Sequence, residues 1–121
     1  MILGTGIDVI EIERIAKAIE RWGDHFLHHV FLDNEITYAR RHKSAAAHFA
    51  VRFAAKEAVF KAVGTNPQLS WKDIRITNDE HGRPRADILN HDFQDTIYLS
   101  LSHSKYYAVA SAIITKTDPA A

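Results

Sequence analysis

The sequence predicts an α+β fold in which an antiparallel sheet packs on one long central helix. Three observations carry this expectation. The chain starts on a short, apolar, β-branched run; helical periodicity then dominates as far as Gly64; and alternating segments separated by turn residues fill the second half. The first segment, ILGTGIDVI, reads as a buried strand whose two glycines allow another backbone to approach closely. Ile12, Ile15, Ala16, Ile19 and Trp22 then recur at helical spacing, with Gly23 ending the helix. A short helical piece is expected around Asp24 to Val30. Asp33 reads as the N-cap of a helix through about Arg41, and Ser44 as the N-cap of the long helix that ends at Gly64. Strands follow at Asp73 to Asn78, Arg85 to Leu89, Ile97 to His103 and Tyr106 to Ile114, with a turn at His81 and Gly82. Asn90 to Thr96 is ambiguous. No linker, repeat or low-complexity stretch divides the 121 residues, so one domain over 1–121 is expected.

Composition excludes several classes. With 46% hydrophobic and 25% charged residues the chain reads as an ordinary globular protein. It has no cysteine, which removes disulfide frameworks, thiol chemistry and thiolate metal sites. No apolar run approaches the roughly 18 residues of a membrane span, and the start lacks a secretory signal pattern, so a cytoplasmic location is expected and no membrane partner. Fifteen basic and fifteen acidic side chains leave no net charge. That balance argues against a general nucleic-acid binder, and any electrostatic recognition must be local.

The long helix carries the chemical signal. On a 100° wheel Phe49, Ala50, Phe53, Glu57, Phe60 and Gly64 share one stripe, which puts an acid amid apolar neighbours. A buried carboxylate must be protonated, paired or metal-bound. Lys61 lies one turn further along, and a Glu57 to Lys61 ion pair at a partly wet edge is the alternative reading. A second apolar face through Val51, Ala55, Val59 and Ala62 marks the helix as central. In the first strand, alternation places Gly4, Gly6 and Asp8 on one face and Leu3, Thr5, Ile7 and Val9 on the other. If the helix packs on the glycine face, Asp8 and Glu57 converge. Two carboxylates with a nearby lysine suit a hard cation such as Mg²⁺ that also binds substrate phosphates. The alternative for Asp8 is an N-cap of the following helix.

These residues carry a resemblance. GID at Gly6 to Asp8, followed by FAAKEAVFK at Phe53 to Lys61, resembles the paired G-x-D and W/F-x-x-K-E-x-x-x-K motifs of the 4'-phosphopantetheinyl transferases. The start on the GxD strand, HGRP at His81 to Pro84 and SLSHS at Ser100 to Ser104 are similar to the short branch of that superfamily, the holo-acyl-carrier-protein synthases. The resemblance implies the 4'-phosphopantetheinyl transferase fold. It also implies transfer of the phosphopantetheine arm of coenzyme A to a serine of apo acyl carrier protein, in fatty acid biosynthesis, with release of 3',5'-ADP.

In that chemistry Asp8 and Glu57 hold Mg²⁺ and Lys61 contacts the transferred phosphate. Glu57 is the base, directly or through a metal-bound water. His103 is the implied ligand of the pyrophosphate or 3'-phosphate, although a histidine ending a strand is by itself more often an edge residue. Arg52 and Lys43 are candidates for the 3'-phosphate, and the backbone from Gly82 to Pro84 for the adenine side. Arg14, Lys17 and Arg21 form a basic stripe on the first helix, where the resemblance places an acidic carrier; spacing alone reads it as a solvated face. Arg40, Arg41, His42 and Lys43 either complement a helix end or meet a phosphate. Of the eight histidines, His25, His28 and His29 could form a pair at i, i+3 or i+4, but no second group at zinc-ligand spacing completes a site. A homotrimer with inter-subunit sites is implied, and such sites would account for a central helix that is apolar on two faces. Two rival classes share some of these features. A metal-dependent phosphoesterase would want more acidic ligands and a basic groove, and a non-catalytic carrier-binding module would not need the two carboxylates.

Overall fold

The computed structural model describes residues 1–118; residues 119–121, the end of the expected domain, lie outside the described residues. The order is β1 (Ile2–Glu11), α1 (Ile12–Trp22), α2 (Asp24–Val30), α3 (Asp33–Arg40), α4 (Ala45–Val63), a 3-10 turn (Trp71–Asp73), β2 (Ile74–Asn78), β3 (Pro84–Ile88), β4 (Thr96–His103) and β5 (Tyr107–Thr115). All strand pairs are antiparallel. β1, β5 and β4 form one sheet in that order, and β2 with β3 forms a separate hairpin. The expected elements are present, with ends displaced by a residue or so. The 3-10 turn was not foreseen.

Small side chains let α4 ride close over the sheet. Ala108, Ala110, Ala112 and Ile114 face it from β5, each 3% exposed or less. Along β1 the register sets Gly4 opposite Ile114, Gly6 opposite Ala112 and Asp8 opposite Ala110, so the glycine face of β1 lies under the helix as alternation requires. A Cβ built on Gly4 would overlap the carbonyl oxygen of Ala62, and one on Gly6 that of Ala58. Backbone contact this close is possible only for glycine.

Several expectations are corrected. Asp33 is the first residue of α3 and not its cap; Leu32 occupies the cap position, and Glu35 reaches back to accept the Leu32 N–H at 2.8 Å. Ser44 does stand at the N-cap of α4, as expected, although it makes no side-chain cap hydrogen bond, and Gly64 ends the helix as expected with φ 78° and its N–H on the Phe60 carbonyl. β1 is not buried on both faces: Ile7 is 65% exposed and Val9 63%. The two apolar faces of α4 are covered within the chain, by the sheet and by α1, α3 and β2. The open apolar surface belongs to the outer side of the sheet.

Candidate active site

Asp8 sits on the helix side of β1, and its side chain is 17% exposed. Lys61, from the last turn of α4, donates to Ile7 O at 2.8 Å and to Asp8 Oδ1 at 3.2 Å. This corrects the alternative in which Lys61 pairs along the helix with Glu57. β1 is an edge strand, so the Ile7 carbonyl is available to the lysine. Burial raises the Glu57 carboxyl above its ordinary pKa; Asp8 acts in the same direction and Lys61 opposes both. The Asp8 charge therefore reaches Glu57, as convergence of strand and helix requires.

The donor set fits a hard cation. Two carboxylates brought together, with carbonyl oxygen nearby, suit Mg²⁺, which takes one or two protein carboxylates and completes its shell from water and phosphate. Among the described residues no group of three or more His, Asp or Glu side chains could close a metal site from protein ligands alone.

A second charged centre, which sequence reasoning missed, lies behind α4. Lys56 and Glu35 have fully buried side chains and pair at 2.7 Å. Lys56 Nζ also donates to Val30 O at 2.9 Å and Trp71 O at 3.1 Å, while Glu35 Oε2 accepts the Ile76 N–H at 2.7 Å. Three acceptors around one amine match the three protons of an ammonium, so Lys56 is charged even though burial pulls its pKa down. The signal available was a lysine between apolar faces of a central helix, together with an acid one turn into the preceding helix. The pair fixes α2, α3, α4, the 3-10 turn and β2 to one another. Trp71, held through its carbonyl, stacks on Phe53 and meets Phe60 edge-on, so an aromatic wall occupies the helical face that also carries Glu57.

The remaining candidates divide by location. Arg52 is 4% exposed, donates to Asn78 Oδ1 at 2.6 Å, and lies 4.1 Å over the Tyr38 ring, while its Nε has no hydrogen-bond partner. With Asn34, Tyr38, Arg41, Ile76 and Asn78 it lines a cavity of 440 Å³ between α3 and β2. Asn78 donates in turn to the carbonyl of Gly82, so the turn leading to Pro84 connects to Arg52 through one amide side chain. Gly82 has φ 82°, which a side chain would strain. Lys43 is exposed between α3 and α4. Arg40 pairs with Asp24 at 2.8 Å, which gives it a structural role. Arg14, Lys17 and Arg21 are all exposed on α1, and Arg21 lies against the Trp22 ring. His103 is on the helix side of β4, opposite Ala108, and His42, His48 and Tyr38 gather beside it.

Residues 4–113 match the model of the 4'-phosphopantetheinyl transferase superfamily. The holo-[acyl-carrier-protein] synthase of Thermodesulfovibrio yellowstonii is 43% identical over 95% of this chain and 100% of its own length. That of Protochlamydia amoebophila is 45% identical over 93% of this chain and 98% of its own. The crystal structure of the Bacillus anthracis holo-(acyl-carrier-protein) synthase in complex with coenzyme A (3',5'-ADP) superposes with a TM-score of 0.83 at 36% identity, covering 97% of this chain and 99% of that one.

Proposed function

From the premise that the chain belongs to the 4'-phosphopantetheinyl transferase superfamily, we propose that it moves the 4'-phosphopantetheine arm of coenzyme A onto a serine of apo acyl carrier protein, releasing 3',5'-ADP, for fatty acid biosynthesis in the cytoplasm. The observation that carries the reading is the convergence of Asp8, Glu57 and Lys61 where β1 meets the last turns of α4. Asp8 and Glu57 would hold Mg²⁺, which when bound neutralises charge on the pyrophosphate.

The chain's own groups account for the other requirements. Lys61 uses two donors on Ile7 and Asp8, and its third proton is available to an oxygen of the transferred phosphate; at 53% exposure the ammonium can be reached. Glu57 takes the serine proton, directly or through a water held at the same site. Positioning supplies much of the remaining barrier reduction, as expected for phosphoryl transfer. Arg52, with an unpartnered buried Nε, and Lys43 serve the nucleotide phosphates, together with His103; Gly82 and Pro84 border the adenine. Arg14, Lys17 and Arg21 receive the acidic carrier.

The active assembly is a homotrimer with sites between subunits. Arg52 and Glu57 are five residues apart on α4, so they project about 140° apart around the helix axis. One chain therefore offers its nucleotide cavity and its carboxylates on different faces, and the uncovered sheet face bearing Ile7 and Val9 provides a surface for another copy.

Release of 3',5'-ADP, followed chromatographically with Mg²⁺, coenzyme A and apo carrier, tests the reading. Release that requires the carrier is the expected result. Equal release without carrier would make the protein a phosphoesterase, and no release with normal coenzyme A binding would make it a binding module.

A further inference from the structure

Two imidazoles beside Tyr38, those of His42 and His48, have no part in the transfer chemistry described above, yet they gather with His103. His42 and His48 stack with ring centroids 3.7 Å apart and 26° between planes. His103 lies 6.2 Å from His48, and Tyr38 packs against both stacked rings. The loop before α4, the first turns of α4 and the end of β4 each contribute one ring. Other groups that act on His48 are Tyr38 from α3 and Arg52, one turn along α4, and Arg52 is cationic.

Two of the tautomers follow from hydrogen bonding. His42 Nδ1 is 3.0 Å from the Tyr38 carbonyl and His103 Nδ1 is 3.4 Å from the Ser104 carbonyl. A carbonyl only accepts, so in both rings Nδ1 carries the proton. In the neutral state each Nε2 then presents a lone pair, which repels an anionic oxygen. Protonation turns both Nε2 atoms into charged donors, and three imidazoles and a guanidinium together would then favour a phosphate. Without an anion the same crowding disfavours charge: burial lowers the pKa of His48 first, and His42, Arg52 and His103 lower it further.

We infer that His42, His48 and His103 form a proton-coupled phosphate site, which takes up a proton from solution when it binds a phosphate group of coenzyme A. The inference rests on the transferase reading for its ligand, and adds His42 and His48 to the binding machinery. Phosphate in the cluster raises the imidazole pKa values above those of the free protein, so coenzyme A affinity is highest at low pH and falls as pH rises through the pKa values of the complex.

Calorimetric titration of coenzyme A at pH 7.5, in buffers of low and high ionisation enthalpy, measures the coupling. The second pKa of a phosphate monoester is about 6, so the ligand contributes little at that pH. Uptake of about one proton per coenzyme A is expected, with affinity falling by up to about tenfold from pH 7.5 to 8.5. His42→Asn and His48→Asn should each reduce both quantities. Dephospho-coenzyme A, which keeps the pyrophosphate, separates the sources: uptake lost assigns the 3'-phosphate, and uptake kept assigns the pyrophosphate. Should either variant fold poorly, NMR titration of the wild-type imidazoles with and without coenzyme A gives the same information, and their pKa values must rise in the complex. Binding without proton uptake, or uptake unchanged in both variants, overturns the inference and leaves the transferase reading intact. Failure to bind coenzyme A at all would instead overturn the reading on which it rests.

Discussion

Asp8, Glu57 and Lys61 are the residues on which the transfer chemistry stands or falls. Asp8→Asn and Glu57→Gln each remove a charge with almost no change in volume, so transfer should be lost at saturating Mg²⁺ while the far-ultraviolet circular dichroism stays native. Stability should change by no more than about 1 kcal/mol: both variants relieve the unfavourable action of Asp8 on Glu57, and in Asp8→Asn loss of the partly exposed pair with Lys61 opposes that gain. Lys61→Met separates a catalytic cation from a scaffold one. If Lys61 acts on the transferred phosphate, kcat should fall by about two to three orders of magnitude with coenzyme A affinity and melting temperature little changed. Ordinary kcat with a lowered melting temperature would return Lys61 to the scaffold. These residues were legible in the sequence because alternation in β1 and the 100° step of α4 determine where each one points. The partner of Lys61 was less legible, because the Ile7 carbonyl becomes available only where β1 is the edge of its sheet.

Among the elements, α4 organises the molecule through apolar faces and two buried cations, Arg52 and Lys56. The sequence revealed the faces by periodicity, and the glycines of β1 announced the close approach that the Ala58 and Ala62 carbonyls make. The Glu35 to Lys56 pair stayed hidden because its members are 21 residues apart and only the packing of α3 on α4 joins them. Lys56→Met leaves Glu35 buried and uncompensated, so unfolding in urea should show a loss of about 3–5 kcal/mol. The double variant Glu35→Gln/Lys56→Met should recover part of that loss, and a double variant no more stable than the single one would contradict the assignment. Asp33 shows a limit of cap prediction, since the same segment offered Glu35 as a second acid and the structure uses that residue to hold the Leu32 N–H.

For the whole molecule, the α+β class and the antiparallel pairings could be read from alternation, but the separation of β2 and β3 from the main sheet could not, because strand order depends on contacts distant in sequence. The outer face of β1 illustrates the same limit, since an apolar strand face reads as buried whether its own chain or a second copy covers it. Ile7→Asp with Val9→Asp should convert a trimer to monomers in sedimentation velocity, and transfer should fall with it; a wild-type monomer that is fully active would remove the inter-subunit site. The central claim, that this fold moves phosphopantetheine to a carrier serine, is tested most directly by the intact mass of the carrier after incubation with enzyme, Mg²⁺ and coenzyme A. The wild type should leave a carrier heavier by one phosphopantetheine, and Glu57→Gln an unmodified carrier. An unmodified carrier in both, or an equal adduct in both, would contradict this claim.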